Sequence, residues 1–351
     1  MTASMDVAVV GAGAAGVGVG VALSMLDLDV RILEREEVGA SFRKWPDEMR
    51  FISPSFPSNS FGLTDLNAIT PDTSPAFTLD REHPSGNEYA DYLEAVVEHY
   101  ELPVETGIEV EHIQPLADKT AASEAAAASD DTAAADPESP IAVDGGIETA
   151  DSDGFLLKTS DGQLVADHVV WAAGHFGSPR TDVIEGAEHC MHTSQVDSWN
   201  EHVDANADDE FLVVGGYESG VDAAVGLHNA GAGVRVLDRG WPWAERNPDP
   251  SEVLAPYTVG RLEEIAGSDR LSLDGGTSVE RVRQTADGEY VVDVSPTRAD
   301  DQPPGAEPAE TPESYTVSTR PLLATGFEPT LGPAESLFSV DKGTIQLTDR
   351  D

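Results

Sequence analysis

Cysteine is almost absent from this chain of 351 residues: Cys190 stands alone. A single thiol excludes an intramolecular disulfide, a CxxC redox pair and a cysteine zinc site. Lysine is nearly as scarce, with four residues, and Lys plus Arg total 20 against 65 Asp plus Glu, a formal charge of −45. That is several times the roughly 2 to 8 units usual for a small soluble domain, and it sets the surface against nucleic acid and anionic membranes. Acids run through the patterned segments as well as the loops, a composition that resembles proteins of extreme halophiles, so salt is expected to stabilise the fold. Long apolar runs are missing too. The most apolar early stretch, Val17 to Leu28, is broken by glycines and falls short of the roughly 18 residues that mark a membrane span. The N-terminus has no basic region followed by an apolar one, so no secretory signal is read and a cytoplasmic location is expected. The length exceeds what one hydrophobic core usually organises, and two domains are expected.

Periodicity organises what is there. Asp6 to Gly11 reads as a short buried parallel strand, followed by a glycine turn, a small-residue helix to about Leu26 and a strand over Val30 to Glu34, a βαβ unit. Tyr89 to Glu101 has helical apolar spacing, and Val104 to Ile113 alternates like a strand. From 117 to 152 the composition falls to Ala, Asp, Ser, Glu, Pro and Gly. Such a stretch cannot bury enough apolar area to offset chain entropy, and a disordered acidic insertion is expected. Phe155–Thr159 and His168–Ala172 resume strand character on either side of a Ser160-Asp161-Gly162 turn. A second βαβ unit follows, with strand Phe211–Gly215, a helix from about Gly220 to Asn229, and strand Val234–Asp238. The Pro- and acid-rich stretch 296–314 is expected to be a flexible loop, after which Tyr315 to Ala324 returns to strand.

Each βαβ unit carries a glycine loop. Gly11-Ala12-Gly13-Ala14-Ala15-Gly16 supplies G-x-G-x-x-G at the first strand-to-helix turn, with Glu34 ending the next strand. Gly11 permits the tight turn, Gly13 lets the backbone approach a pyrophosphate and Gly16 allows close helix packing, while the helix N-terminus offers free N–H groups. Glu34 is placed to accept a ribose hydroxyl. The second copy, Gly215-Gly216-Tyr217-Glu218-Ser219-Gly220, departs by placing Gly second and Tyr third. After it come Asp238, suited to a ribose diol and NADH, and Arg239, suited to the 2′-phosphate of NADPH. The two point opposite ways.

With both loops in order, the chain resembles the two-dinucleotide-binding flavoprotein superfamily, the pyridine nucleotide-disulfide oxidoreductase-like group, especially its flavin-containing monooxygenase-like and bacillithiol-disulfide-reductase-like members. Gly39-Ala40-Ser41-Phe42-Arg43-Lys44-Trp45 is similar to the segment with which those enzymes line the flavin. Trp171-Ala172-Ala173-Gly174-His175 and Leu323-Ala324-Thr325-Gly326-Phe327 resemble their two crossovers, and Gly186, His192-Thr193 and Trp199 are loosely similar to the monooxygenase fingerprint.

The resemblance implies an α/β fold of two Rossmann-like domains, the second inserted in the first, each with a parallel sheet, helices and a β-meander. Residues 1–205 plus 320–351 would bind FAD and 206–319 NADPH or NADH. Cofactor contacts would come from the first loop with Arg35, from Gly215, Gly216, Glu218, Ser219 and Gly220 of the second, and from Ala173, Gly174 and Gly326 at the crossovers. Ser41 and Trp45 would lie near the flavin, and the Val110 backbone near the adenine. Val110 reads equally as core and Trp45 equally as packing. The superfamily's C-terminal flavin segment is not evident, because the sequence stops at Asp351, 25 residues beyond Gly326; weaker flavin binding is the expectation.

The implied activity is hydride transfer from NAD(P)H to flavin and onward to a small-molecule substrate or electron acceptor. Three versions stay open: a monooxygenase-like enzyme, slightly favoured; a cysteine-free reductase of a low-molecular-weight disulfide or quinone; and a non-catalytic dinucleotide-binding protein. His175 is the catalytic candidate, although a histidine at a strand end is commonly structural. Cys190 reads as a tolerated thiol. His189 and His192 lack a third ligand, so no metal site is expected. A homodimer is the default expectation.

Overall fold

The strand before the first glycine loop is buried on both faces, which is why its sequence runs apolar without alternation: Val7, Ala8, Val9 and Val10 are all buried, as a central parallel strand requires. It is β1 (Ala3–Val10) of a computed structural model that describes residues 3–56, 65–116, 154–206, 210–244, 253–297, 312–341 and 344–345. The acidic insertion expected at 117–152, and all but the ends of the loop expected at 296–314, lie outside the described residues.

Helix α1 (Ala14–Ser24) is weak by composition, since Gly16, Gly18 and Gly20 each cost about 1 kcal/mol against alanine. The helix packs close to the sheet at Gly20, where a Cβ would lie 2.5 Å from Ile32 Cδ1 and the end of that side chain would have to move aside. After β2 (Val30–Glu34) come helices α2 (Ala40–Arg43), α3 (Pro75–Leu79) and α4 (Gly86–His99). The sheet is completed by β3 (Val104–Thr106), β4 (Val110–Pro115), β5 (Phe155–Thr159) and β6 (Gly162–Trp171), in the order β3-β2-β1-β6-β5-β4. β3, β2, β1 and β6 are parallel, and β5 runs against both its neighbours.

One expectation fails here. The alternating stretch Val104–Ile113 is not one strand but two, β3 and β4, at opposite edges of the sheet. Gly107 takes φ +77° and turns the chain between them, and because the apolar alternation continues across the turn, the pattern conceals it.

A second sheet is parallel throughout, in the order β10-β9-β8-β14-β7, from β7 (Met191–His192), β8 (Glu210–Val214), β9 (Gly233–Asp238), β10 (Leu271–Gly275) and β14 (Leu322–Leu323). Beside it β11 (Thr277–Gln284), β12 (Tyr290–Pro296) and β13 (Ser314–Val317) form an antiparallel meander. Helices α5 (Trp199–Asp204), α6 (Glu218–Asn229) and α7 (Pro256–Ile265) complete this half. Trp199 is fully buried with its ring where a Cβ on Gly226 would lie, 2.2 Å from its Cδ1.

The chain crosses four times between two units, 1–40 with 93–174 and 329–351, and 41–92 with 175–328. These limits differ from those read in the sequence. Residues 175–205 fall in the second unit because β7 pairs with β14 and Trp199 sits in the core of that sheet. Residues 41–92 join it partly through Glu48, whose carboxylate accepts hydrogen bonds from Ser198 Oγ at 2.8 Å and Trp199 N at 2.9 Å. Among the described residues no helix is long and apolar enough to cross a membrane.

Candidate functional site

The first loop shows which of its glycines the fold itself demands. Gly11 has φ +103°, and a Cβ there would meet Ala172 O at 2.6 Å; a Cβ on Gly16 would lie 1.8 Å from Gly11 O. Both contacts are with main chain and cannot be relieved by a rotamer. Gly13 is different. Its φ of −78° and ψ of −171° suit any residue, and no atom lies within 4 Å of its Cβ position. Gly13 is also the N-cap of α1, so no side chain caps the helix, and its first turn holds no acid. The N–H groups of that turn lack intrahelical partners and carry the positive end of the helix dipole. Open space beside uncapped N–H groups fits a pyrophosphate.

Glu34 ties the loop to β2. Its Oε2 accepts Ala12 N at 2.7 Å and its Oε1 accepts Glu36 N at 2.8 Å, leaving lone pairs on both oxygens. Arg35 is exposed, 3.5 Å from Glu36 and 3.7 Å from Glu109. Val110 is buried with Ala8, Val10 and Ile113. Ala173 and Gly174 are exposed just past β6.

The second loop repeats the plan. Gly215 has φ +101°, and its Cβ would lie 2.5 Å from Ala324 O; a Cβ on Gly220 would lie 1.9 Å from Gly215 O. Gly215 N donates to Leu237 O at 2.9 Å, as Gly11 N donates to Leu33 O at 2.8 Å. Asp238 takes the part of Glu34, its Oδ2 accepting Gly216 N at 2.6 Å and its Oδ1 Gly240 N at 2.7 Å. Three features are its own. Gly216 packs against Trp243, whose ring lies 2.4 Å from where a Cβ would be. Tyr217 stands at the place of Gly13 with a similar backbone, φ −84° and ψ −160°, and donates its hydroxyl to Val253 O at 3.0 Å. Glu218 turns away to the start of α7, accepting Ala255 N at 2.6 Å and the Thr258 hydroxyl. Ser219 is half-buried and Arg239 exposed.

Elsewhere in the second unit Ser41 is exposed, and Trp45 belongs to an aromatic cluster, 5.3 Å from Phe42 and 5.1 Å from Phe51 between ring centres. His175 is exposed, 5.9 Å from the Phe327 ring. Gly326 is held by a residue that the sequence singled out only through spacing. His192, 1 % exposed, brings Nε2 to 3.0 Å from Gly326 O while its Nδ1 accepts Ser194 N at 3.2 Å. Burial holds its pKa below the ordinary histidine value, so the ring is neutral and Nε2–H donates to the carbonyl. Gly186 is set by the Val282 carbonyl, 1.9 Å from its Cβ position. The fingerprint-like spacing of Gly186, His192 and Trp199 is therefore accounted for by packing and by support of Gly326.

Glu48 was missed altogether, because an acid that caps a helix about 150 residues away leaves no local pattern. Burial opposes its ionisation, but the bonds from Trp199 N, Ser198 Oγ and Asn200 N outweigh that and hold its pKa below the ordinary value. Cys190 is buried, and burial pushes its thiol up to about 11.

A family model described as pyridine nucleotide-disulphide oxidoreductase matches residues 8–127 and 145–351. Among solved structures, the chain is similar to a bacillithiol disulfide reductase from Bacillus cereus, at 20 % identity and a TM-score of 0.64, with 98 % of this chain and 86 % of that one covered. It is similar to a flavin-containing monooxygenase from Stenotrophomonas maltophilia, at 17 % and 0.59, covering 99 % and 86 %. It is also similar to a Kutzneria ornithine N-hydroxylase in a structure with reduced FAD, NADP+ and L-ornithine, at 18 % and 0.59, covering 92 % and 81 %. At these identities the structural likeness speaks for the fold, whereas the family match spans most of the sequence. The chain belongs to the pyridine nucleotide-disulphide oxidoreductase family.

Proposed function

We propose that the chain binds FAD at the Gly11 loop and NAD(P)H at the Gly215 loop, and passes electrons from the nucleotide to a small-molecule acceptor, with the oxygen-using, monooxygenase-like kind preferred. The observation that carries the FAD assignment is the contrast within one loop: Gly11 and Gly16 are filled by the protein, while Gly13 faces open space beside an uncapped helix end. FAD, when bound, supplies the two-electron chemistry.

The residues around it bind and orient. N–H groups of Ala14, Ala15 and Gly16 would hold the pyrophosphate, and Glu34 keeps lone pairs for a ribose diol while anchoring Ala12. At the second loop Asp238 anchors Gly216 in the same way. His192 fixes the Gly326 carbonyl. The only cysteine is buried and protonated, so no thiol of this chain relays electrons. That supports an acceptor that meets the flavin directly.

The second reading is a reductase of a low-molecular-weight disulfide or quinone, supported by the likeness to the bacillithiol disulfide reductase. To test both, FAD-saturated protein is mixed with NADH or NADPH with and without oxygen, then with an added disulfide or quinone. Oxygen-dependent oxidation supports the preferred reading, and oxidation only with disulfide or quinone supports the second. Protein that takes up no flavin and turns over nothing overturns both in favour of a binding role.

A further inference from the structure

The two glycine loops share a backbone plan and differ in the helix turn that follows. The first turn of α1 holds no acid, whereas the first turn of α6 begins with Glu218. A carboxylate left at that place would stand beside the N–H groups that receive a pyrophosphate, and the two anions would oppose one another. Tyr217 and Glu218 instead reach one short stretch of chain at the start of α7. The Tyr217 hydroxyl donates to Val253 O at 3.0 Å, and the Glu218 carboxylate accepts Ala255 N at 2.6 Å and the Thr258 hydroxyl. Ala255 is the N-cap of α7 and has no side chain to cap it, with Pro256 next in the helix. The Glu218 charge is thus offset by the N-terminus of α7 and not by that of α6.

The place of α7 is fixed by more than this bond. Asp222, one turn after Glu218, accepts Arg261 Nη1 at 2.6 Å, and the Arg261 guanidinium lies 5.4 Å from the centre of the Tyr257 ring. Val221 and Val225 pack with Leu254, Leu262 and Ile265. Residues 218, 221, 222 and 225 lie on one face of α6, so α7 is bound to that face over two turns. Thr258 is 1 % exposed; its hydroxyl is kept from water, and Glu218 supplies the acceptor that burial demands.

We infer that this contact makes the second loop fit for an anion: Ala255 and Thr258 hold the Glu218 carboxylate away from the N-terminus of α6, and Thr258 is a positioning residue that, acting through Glu218, sets the affinity for the pyrophosphate of the pyridine nucleotide. The inference rests on the reading of the Gly215 loop as the pyridine nucleotide site and deepens it. Release of the carboxylate returns a negative charge to the first turn of α6, where it opposes the phosphates. The nucleotide and the acid compete for one helix end, and α7 decides the competition.

The test is calorimetric titration of FAD-saturated full-length protein, at one fixed salt concentration, with ADP-ribose, which carries the pyrophosphate and cannot transfer a hydride. Thr258→Val removes the hydroxyl with little change of shape and weakens binding by about 3- to 30-fold, the effect of one more surface charge near the phosphates. Thr258→Ser keeps the hydroxyl and most of the native affinity. Ala255→Pro removes the other donor at a residue whose φ of −58° suits proline and acts in the same direction; flavin uptake at the first loop reports the folding of each variant, and Ala255→Pro takes the place of Thr258→Val if the latter does not fold. Glu218→Gln, which keeps an acceptor and loses the charge, binds ADP-ribose at least as tightly as the native chain, and in that background the loss of a donor costs less than about twofold. A merely structural role would weaken binding equally in both backgrounds. Native affinity in the variant that has lost a donor, or a loss that persists in Glu218→Gln, overturns the inference and leaves the nucleotide site standing. Native protein that does not bind ADP-ribose overturns the nucleotide reading and the inference with it.

Discussion

Replacing Gly13 with leucine is expected to abolish tight FAD binding in a protein that still folds. The Cβ position at Gly13 has nothing within 4 Å, and its backbone angles suit leucine. The fold then loses only the advantage of glycine over an apolar residue at an N-cap, about 1 kcal/mol, or about 2–4 °C in melting temperature for a domain of this size. The ligand loses much more. A leucine side chain fills the space the phosphate must enter, and at least two charge-assisted bonds from the first turn of α1 go with it. At about 1.5–3 kcal/mol each, two are worth about 3–6 kcal/mol, or about 10²- to 10⁴-fold in Kd. Gly16→Ala is the contrasting variant. Its Cβ would stand 1.8 Å from the Gly11 carbonyl oxygen, so α1 must shift off the sheet at a cost of about 1–3 kcal/mol or more. FAD titration by flavin fluorescence and thermal melts without flavin separate the two: the first variant loses affinity steeply with only that small drop in melting temperature, and in the second the larger change is in melting temperature. A Gly13→Leu protein that binds FAD within about threefold of the native one would mean that the phosphate does not lie against this helix end.

Three further outcomes are expected. Glu48→Ala removes the acceptor for Ser198 and Trp199 at the start of α5 and lowers stability in urea by about 1–3 kcal/mol; because the folded pKa of Glu48 is depressed, its stabilisation is complete above the ordinary carboxylate range of about 4.3 and disappears as pH falls through the lower folded value, and a variant whose loss is the same at all pH would contradict this. Native Cys190, with its thiol raised to about 11, should react with a disulfide reagent at pH 8 about 100-fold more slowly than in urea; comparable rates would mean that the thiol is not buried. Molar potassium chloride should raise the melting temperature of a chain carrying −45 charges by screening self-repulsion, and an unchanged or lower value would refute the role given to the charge.

The parts of the molecule that sequence reveals are those where local chemistry and tertiary demand coincide. The βαβ units were legible because β1 is buried on both faces and because Gly11, Gly16, Gly215 and Gly220 each meet main chain where a side chain would stand. Gly107 shows the opposite case: its turn sends β3 and β4 to opposite edges of one sheet without disturbing the apolar alternation. The cross-links were invisible for another reason. Glu48 at α5, Glu218 at α7 and His192 at Gly326 each join segments at least 37 residues apart, and no short-range pattern encodes such a pair. Glu218 is instructive, since it sits inside the second glycine motif but its carboxylate serves another helix. The acceptor was not legible either, for a binding surface of this kind lies in loops without periodic signature.

The central claim is that the two loops hold FAD and a pyridine nucleotide in one working enzyme. Anaerobic addition of NADPH to the FAD-reconstituted protein, followed by visible absorbance, tests it most directly. The expected result is loss of the oxidised flavin band with the native chain and no flavin band at all with Gly13→Leu. A native protein that takes up no FAD, or one whose flavin stays oxidised with both NADPH and NADH, would contradict the account.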